Sequence, residues 1–181
     1  MSEPANKSVL TRDGWAEDAW HVLRNLAEPD PSSLGEAQPA RNELILLPLA
    51  SYLAQPQPAT RGVWLSPADD PKALIPHLQN LSLIAIDFPV FTDGRGYSIA
   101  STLRNRCRYG GDLRAIGDVL IDQLFYLRRV GFSSFALRAD QDRERAVTAL
   151  RTFSEVYQGA ADQPWPAFRR HARPDAQAAS R

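Results

Sequence analysis

Residues 81–89, LSLIAIDFP, constrain the fold of this chain more than any other stretch. The run is apolar at successive positions and lacks the alternation of a strand that shows one face to water. A strand of this kind must be covered on both faces, as strands of a parallel sheet are. Pro89 cuts it off, because proline has no N–H to give to a ladder.

The same beat recurs from residue 43 onward. ELILLPLA and RGVWLSPADD each hold a short apolar run, and Ser66-Pro67 opens a helix that continues through PKALIPHLQNL. GYSIASTLRNRCRY reads as helix, with Ile99, Leu103 and Cys107 on one face at four-residue spacing. DLRAIGD is a further short strand, VLIDQLFYLRRVG a helix apolar around much of its girth, and FSSFALR another strand. The closing helix, DRERAVTALRTFSEVYQG, places Ala146, Leu150, Phe153 and Tyr157 on one stripe and stops at Gly159. Strand and helix alternating in this way predict an α/β fold of about five βα units with a mainly parallel sheet. That number falls short of a closed barrel, so the sheet is expected to be open or incomplete and barrel-like.

The ends read differently. SVLTRDGWAEDAWHVL predicts a short strand or hairpin around Asp13-Gly14, then a turn or two of helix, and residues 28–42 read as a linker. The expected organisation is thus an N-terminal segment and linker at 1–42 and an α/β core domain at 43–159. Residues 160–181, rich in proline, arginine and small residues without an apolar period, are expected to be disordered.

Charge bounds the partners. Lysine plus arginine equals aspartate plus glutamate, at 21 each, so there is no general pull toward nucleic acid or an acidic membrane. Any basic site must be local. Lys7 and Lys72 are the only lysines, a bias that fits oxyanion recognition and genomic composition alike. Cys107, the one cysteine, excludes an intrachain disulfide, a C-x-x-C dithiol and a four-cysteine cluster. His21, His77 and His171 lie far apart, so no metal site is expected. GRGYSI is not a dinucleotide fingerprint, no stretch matches a P-loop, and no cofactor is evident. Without an apolar run near the ~20 residues that cross a bilayer, and without a signal peptide, the expected location is the cytoplasm.

In parallel α/β folds ligands collect at the carboxyl ends of the strands. That rule selects Asp93, Gly94, Arg95, Gly96, Tyr97 and Ser98 in TDGRGYS, then Asp118 and Arg138, and Gln123 joins the candidate site on separate grounds. Gly94 and Gly96 would permit close backbone approach to an anion, and Arg95 would add a planar donor fork. The same residues also suit a turn, a helix cap and a local ion pair. Asp118 fits an N-cap as well as a catalytic acid. Gln123 lies on an otherwise apolar helix face and needs a buried partner or a ligand. Arg104 and Arg108, at four-residue spacing with Arg106 turned away, form a candidate docking face for an acidic partner. Cys107, on the apolar stripe, is expected to be a buried thiol.

FPVFTDGRGYSIASTLRNR, followed by GDLRAIGDVLIDQLFYLRRVGFSSFALR, resembles the bacterial family known as domain of unknown function 934. VLTRDGW-x-x-DAW near the start and FSEVYQ near the end extend the resemblance over most of residues 8–158. The positions that carry it are Phe91, Thr92, Asp93, Gly94, Arg95, Gly96, Tyr97, Ser98, Arg104, Arg114, Gly117, Asp118, Asp122 and Gln123. The resemblance implies an oxidoreductase or accessory protein of assimilatory sulfite reduction, working with the haem subunit of sulfite reductase. The alternatives are a small enzyme or oxyanion binder with its site around residues 92–98 and 118, and a protein that borrows a flavin or nicotinamide.

Overall fold

The computed structural model describes residues 8–24, 44–54, 62–153 and 155–170. Among them, eight strands form one curled half-barrel sheet of order β2-β1-β8-β7-β6-β5-β4-β3. The strands β3 (Trp20–Val22), β4 (Leu44–Pro48), β5 (Gly62–Leu65), β6 (Leu83–Phe88), β7 (Asp112–Gly117) and β8 (Ser134–Phe135) run parallel in sequence order. The hairpin β1 (Ser8–Thr11) and β2 (Gly14–Glu17) adds antiparallel to the free edge of β8. Successive parallel neighbours require crossovers of one hand, which stacks the helical segments on one side of the sheet.

Strand alternation sorts the core into two layers. Ile84, Ile86 and Phe88 of β6 join Val63, Leu65, Leu113, Ala115 and Phe135 beneath the helices. Leu83 and Ala85 point the other way, to the inner face, with Leu46, Ile116, Trp20, Val22 and Trp64. The doubly apolar reading of LSLIAIDFP follows from this placement, since every residue of β6 is buried.

The helical side consists of short pieces. They are α1 (Leu49–Ala54), α2 (Arg95–Ser101), α3 (Leu124–Val130), α4 (Arg143–Leu150) and α5 (Ala167–Arg170). The β5–β6 crossover is instead a 3-10 helix, Pro71–Asn80, which contains Pro76 and is capped by Asp70 rather than opened at Ser66. Proline there removes an amide donor that an α-helix interior would use. The mixed α/β, mostly parallel character of the sheet agrees with the sequence pattern, although one helical segment between its strands is of the 3-10 type.

Four local expectations change. The turn of helix after the hairpin is strand β3, because Trp20 and Val22 alternate onto the inner face and pair with β4. α2 runs into a π-helical turn, Thr102–Arg106, and the chain leaves it at Cys107, which is only half-buried. The last helix stops at Leu150 instead of Gly159, leaving Phe153 and Tyr157 exposed. Arg128 Nη1 donates to the Leu150 carbonyl at 2.7 Å, engaging an oxygen that a continuing helix would use. Finally, residues 160–170 are tied down where disorder is expected. Asp162 pairs with Arg129 at 2.6 Å, and the Ala161 amide donates to the Arg129 carbonyl at 3.1 Å. Residues 171–181 and the linker at 28–42 lie outside the described residues.

Only Asp18 and Ala19 join β2 to β3, the strands at opposite ends of the sheet order. Three Cα–Cα steps span no more than ~11 Å, so the sheet must curl until its edges approach. The connector is also locked from inside. Asp18 accepts from Arg114 Nη1 of β7 at 2.5 Å, and the side chains are 13% and 9% exposed. Arg114 Nε donates to Ser134 Oγ at 3.1 Å, and Arg24, just past β3, pairs with Asp87 of β6 at 2.8 Å. Removing one partner of a nearly buried pair strands the other charge. Asp18→Ala should cost about 3 kcal/mol in urea unfolding, and adding Arg114→Met should restore much of it. Additive losses in the double variant would show that the two charges act independently.

Candidate functional site at the strand ends

The loops that leave β6, β7 and β8 meet at one end of the sheet, and Gly117 sets their arrangement. Its φ is +94°, and a Cβ there would strike the Phe88 carbonyl oxygen and lie 2.7 Å from Asp87 Oδ1. Only glycine lets β7 turn away so close to β6. The turn brings the Asp118 amide to the Phe88 carbonyl at 2.7 Å.

Asp118 then joins all three loops. Its Oδ2 accepts from the Phe91 amide at 2.9 Å, and its Oδ1 accepts from Arg138 Nη1 at 2.7 Å. Arg138 also forks onto Asp140, from Nε at 2.7 Å and Nη2 at 2.8 Å. Gln141 Oε1 accepts from the Ile121 amide at 3.1 Å, and its Nε2 donates to Asp140 Oδ1 at the same distance. Gln123 fills the gap between α3 and the β6 loop. Its Nε2 donates to the Phe91 carbonyl and its Oε1 accepts from the Leu120 amide, both at 2.9 Å. It also bonds the Tyr97 side chain, whose hydroxyl is pushed up in pKa by burial.

The fold thus brings together Asp118, Gln123, Arg138 and Tyr97. Asp118 is not a helix cap, since the 3-10 turn Ile121–Gln123 starts from Leu120; it holds the β6 loop instead. The TDGRGYS loop behaves differently. Arg95 turns back on Asp93, with Nη2 to Oδ2 at 2.7 Å and Nε to Oδ1 at 3.0 Å, and its side chain is 64% exposed. These hydrogen bonds hold the Asp93 carboxyl below the usual carboxylate range. Gly94 sits at φ −77°, and Gly96 is needed for packing: a Cβ there would come within 2.6 Å of the Phe88 ring. Ser98 lies exposed on α2, in which Gly94 is the N-cap.

The docking face expected of Arg104 and Arg108 does not form. Arg104 is half-buried and donates to three carbonyls, Gly131 at 2.9 Å, Tyr109 at 2.7 Å and Gly111 at 2.6 Å. Arg108 lies beyond the π turn at φ +58°, pointing the chain out of the helix. Sequence spacing also misses the Arg114–Asp18 and Arg24–Asp87 pairs, whose partners are 96 and 63 residues apart. No local signal encodes them.

Beside the network lies an open apolar groove of about 610 Å³ between α3 and residues 149–158. Phe125, Tyr126, Phe153 and Tyr157 line it, with Asp122 and Arg129 among its polar residues. Phe125 packs against Phe153 with the rings tilted, 4.8 Å between centroids, while Tyr126 is 65% and Phe153 52% exposed. Phe91 and Val90 are also exposed, in the β6 loop that Gln123 ties to α3. Chemically the strand-end arginines are charge-matched, so the arrangement is a braced platform with aromatic groups at its side. Among the described residues, no three histidine, cysteine or acidic side chains are placed to hold a metal, and no helix is long and apolar enough to cross a membrane.

Arg138, seconded by Gln141, holds the Asp140 carboxyl down to about 2. A depressed carboxylate contributes stability above its unfolded value, ~3.9, and loses it as pH falls through the folded one. The Asp140 carboxyl carbon shift should therefore titrate with a midpoint near 2. Arg138→Ala should move that midpoint up toward ~3.9. An unmoved midpoint would refute the pairing.

No curated protein and no solved structure matches the chain. A family profile matches residues 62–168, more than half of the chain, and so runs from β5 to the start of α5 with both the strand-end network and the groove. The chain belongs to the family described as bacterial protein of unknown function (DUF934).

Proposed function

We propose that this protein is an accessory component of assimilatory sulfite reduction that docks on the haem subunit of sulfite reductase. The observation that carries docking is the aromatic groove beside α3. Exposed tyrosine and phenylalanine on a rigid, polar-rimmed surface are the residues that anchor protein interfaces. Single apolar residues at a surface are ordinary, but several lining one groove are not. The pathway rests on the sequence resemblance in FTDGRGYS and LRAIGDVLIDQL. Those blocks build the braced loops, and the second continues into α3, which forms one wall of the groove.

The strand-end loops favour docking over capture of a small oxyanion at that place. Arg138 already serves Asp118 and Asp140, and Arg95 serves Asp93, so an incoming anion would have to displace carboxylates from both. The hydrogen bonds of Gln123 and Asp118 do more to hold the Phe91 loop than to present donors outward.

Purified chain and sulfite reductase haem subunit should associate in a pull-down and in analytical ultracentrifugation. Tyr126→Ala with Phe153→Ala, both exposed and dispensable to the core, should weaken that association at least about tenfold. A strain lacking the protein should grow on cysteine and poorly on sulfate. No association of the native chain, or undiminished association of the variant, would sink the docking reading.

A further inference from the structure

The opposite end of the sheet holds a second cavity, of about 550 Å³, where β7 and β8 begin. The hairpin tip at Thr11–Asp13, the loop at Gly131–Ser133 and the Ala161-Asp162 turn enclose it. Four arginines line it, Arg12, Arg104, Arg114 and Arg128, with Asp13, Asp112 and Asp162 as the acids.

Two of these charges are met by partners outside the cavity lining. Arg114 pairs with Asp18 at 2.5 Å, and Asp162 pairs with Arg129 at 2.6 Å. Asp162 also meets Arg128 at 3.4 Å and is shared between the two arginines, so Arg12, Arg104 and a half-compensated Arg128 stand against Asp13 and Asp112, an excess of positive charge. The donors of all three arginines are incompletely used. Arg128 Nε is buried without a hydrogen bond, in ion-pair contact at 3.4 Å with Asp162 Oδ2, the other oxygen of that carboxylate being held by Arg129. Arg104 hydrogen-bonds carbonyl oxygens and lies over the Tyr109 ring at 5.5 Å, with no carboxylate in ion-pair contact, and burial pushes its pKa down. Arg12 is exposed at the hairpin turn and has no partner among the described residues.

A buried N–H whose nearest acceptor is too poorly placed to hydrogen-bond is costly, and in a native protein it leaves a place for a water or an ion. Guanidinium groups lining one recess with donors to spare suit the edges of a small oxyanion. We infer that this cavity binds a small inorganic oxyanion of the sulfite, sulfate or phosphate class, between Arg104 and Arg128, with Arg12 at its rim. The recess is enclosed by backbone loops, which favours an ion over an acidic protein surface. The site is independent of the aromatic groove, and either can fail without the other.

Isothermal titration of the full chain with sodium sulfite, sulfate, phosphate and chloride, at constant ionic strength, tests the site. The oxyanions should bind and chloride should not, and their order of affinity identifies which ion the site takes. Arg12→Ala should weaken the tightest of them about tenfold or more, because it removes a charge-assisted donor from an exposed turn. Asp112→Asn, also exposed, should tighten it by relieving repulsion. Equal heats with chloride, or affinities untouched by both substitutions, would overturn the assignment.

Discussion

The two-residue link between β2 and β3 governs the rest of this molecule. It ties strands that stand at opposite ends of an eight-stranded order, and no flat sheet can satisfy it. The resulting curl closes an inner face around Leu46, Leu83, Ala85 and Ile116, which would otherwise lie open to water. Asp18 sits in the link itself and reaches Arg114 on β7, so the constraint of chain length and the ion pair act at the same point. Taking two charges out of water has a cost, and the hydrogen bond to Ser134 offsets part of it.

With the sheet curled, the loops after β6, β7 and β8 are crowded to one end, and their backbone polar groups need partners. Asp118, Gln123, Arg138 and Gln141 supply them, and Gly117 provides the turn that makes the approach sterically feasible. The network consumes the donors that a sequence reading assigns to a ligand. Its outcome is that the Phe91 loop and the start of α3 are held together by side-chain hydrogen bonds. At the other end of the same strands, arginine donors are left over. The two ends of the half barrel are thus chemically distinct, one neutralised and aromatic, the other cationic.

Several features are legible in the sequence alone. The continuous apolar run at residues 81–89 marks β6, Asp13-Gly14 marks the hairpin, and the strand-end rule selects Asp118 and Arg138, which the fold joins. Other features were legible only in part. Four-residue spacing placed Arg104 and Arg108 on one face, but the π turn and the left-handed Arg108 end the helix between them. Arg95 carries the right chemistry for an anion, yet Asp93 is two residues away and always available, so the local pair wins. The apolar stripe through Phe153 and Tyr157 is real as a pattern, but the Leu150 carbonyl is taken by an arginine from another helix.

The sequence by itself determined a neutral α/β chain with a mostly parallel sheet, its turn positions and the residues crowded at its strand ends. Those follow from alternation, proline, glycine and charge, which act over a few residues and can be read in order. Tertiary structure alone decided the curl, the Asp18–Arg114 and Arg24–Asp87 pairs, the extra strand β3 and the recess shared by Arg12, Arg104 and Arg128. Each joins residues far apart in the chain, and their pairing energy exists only once packing has removed the alternatives and the water.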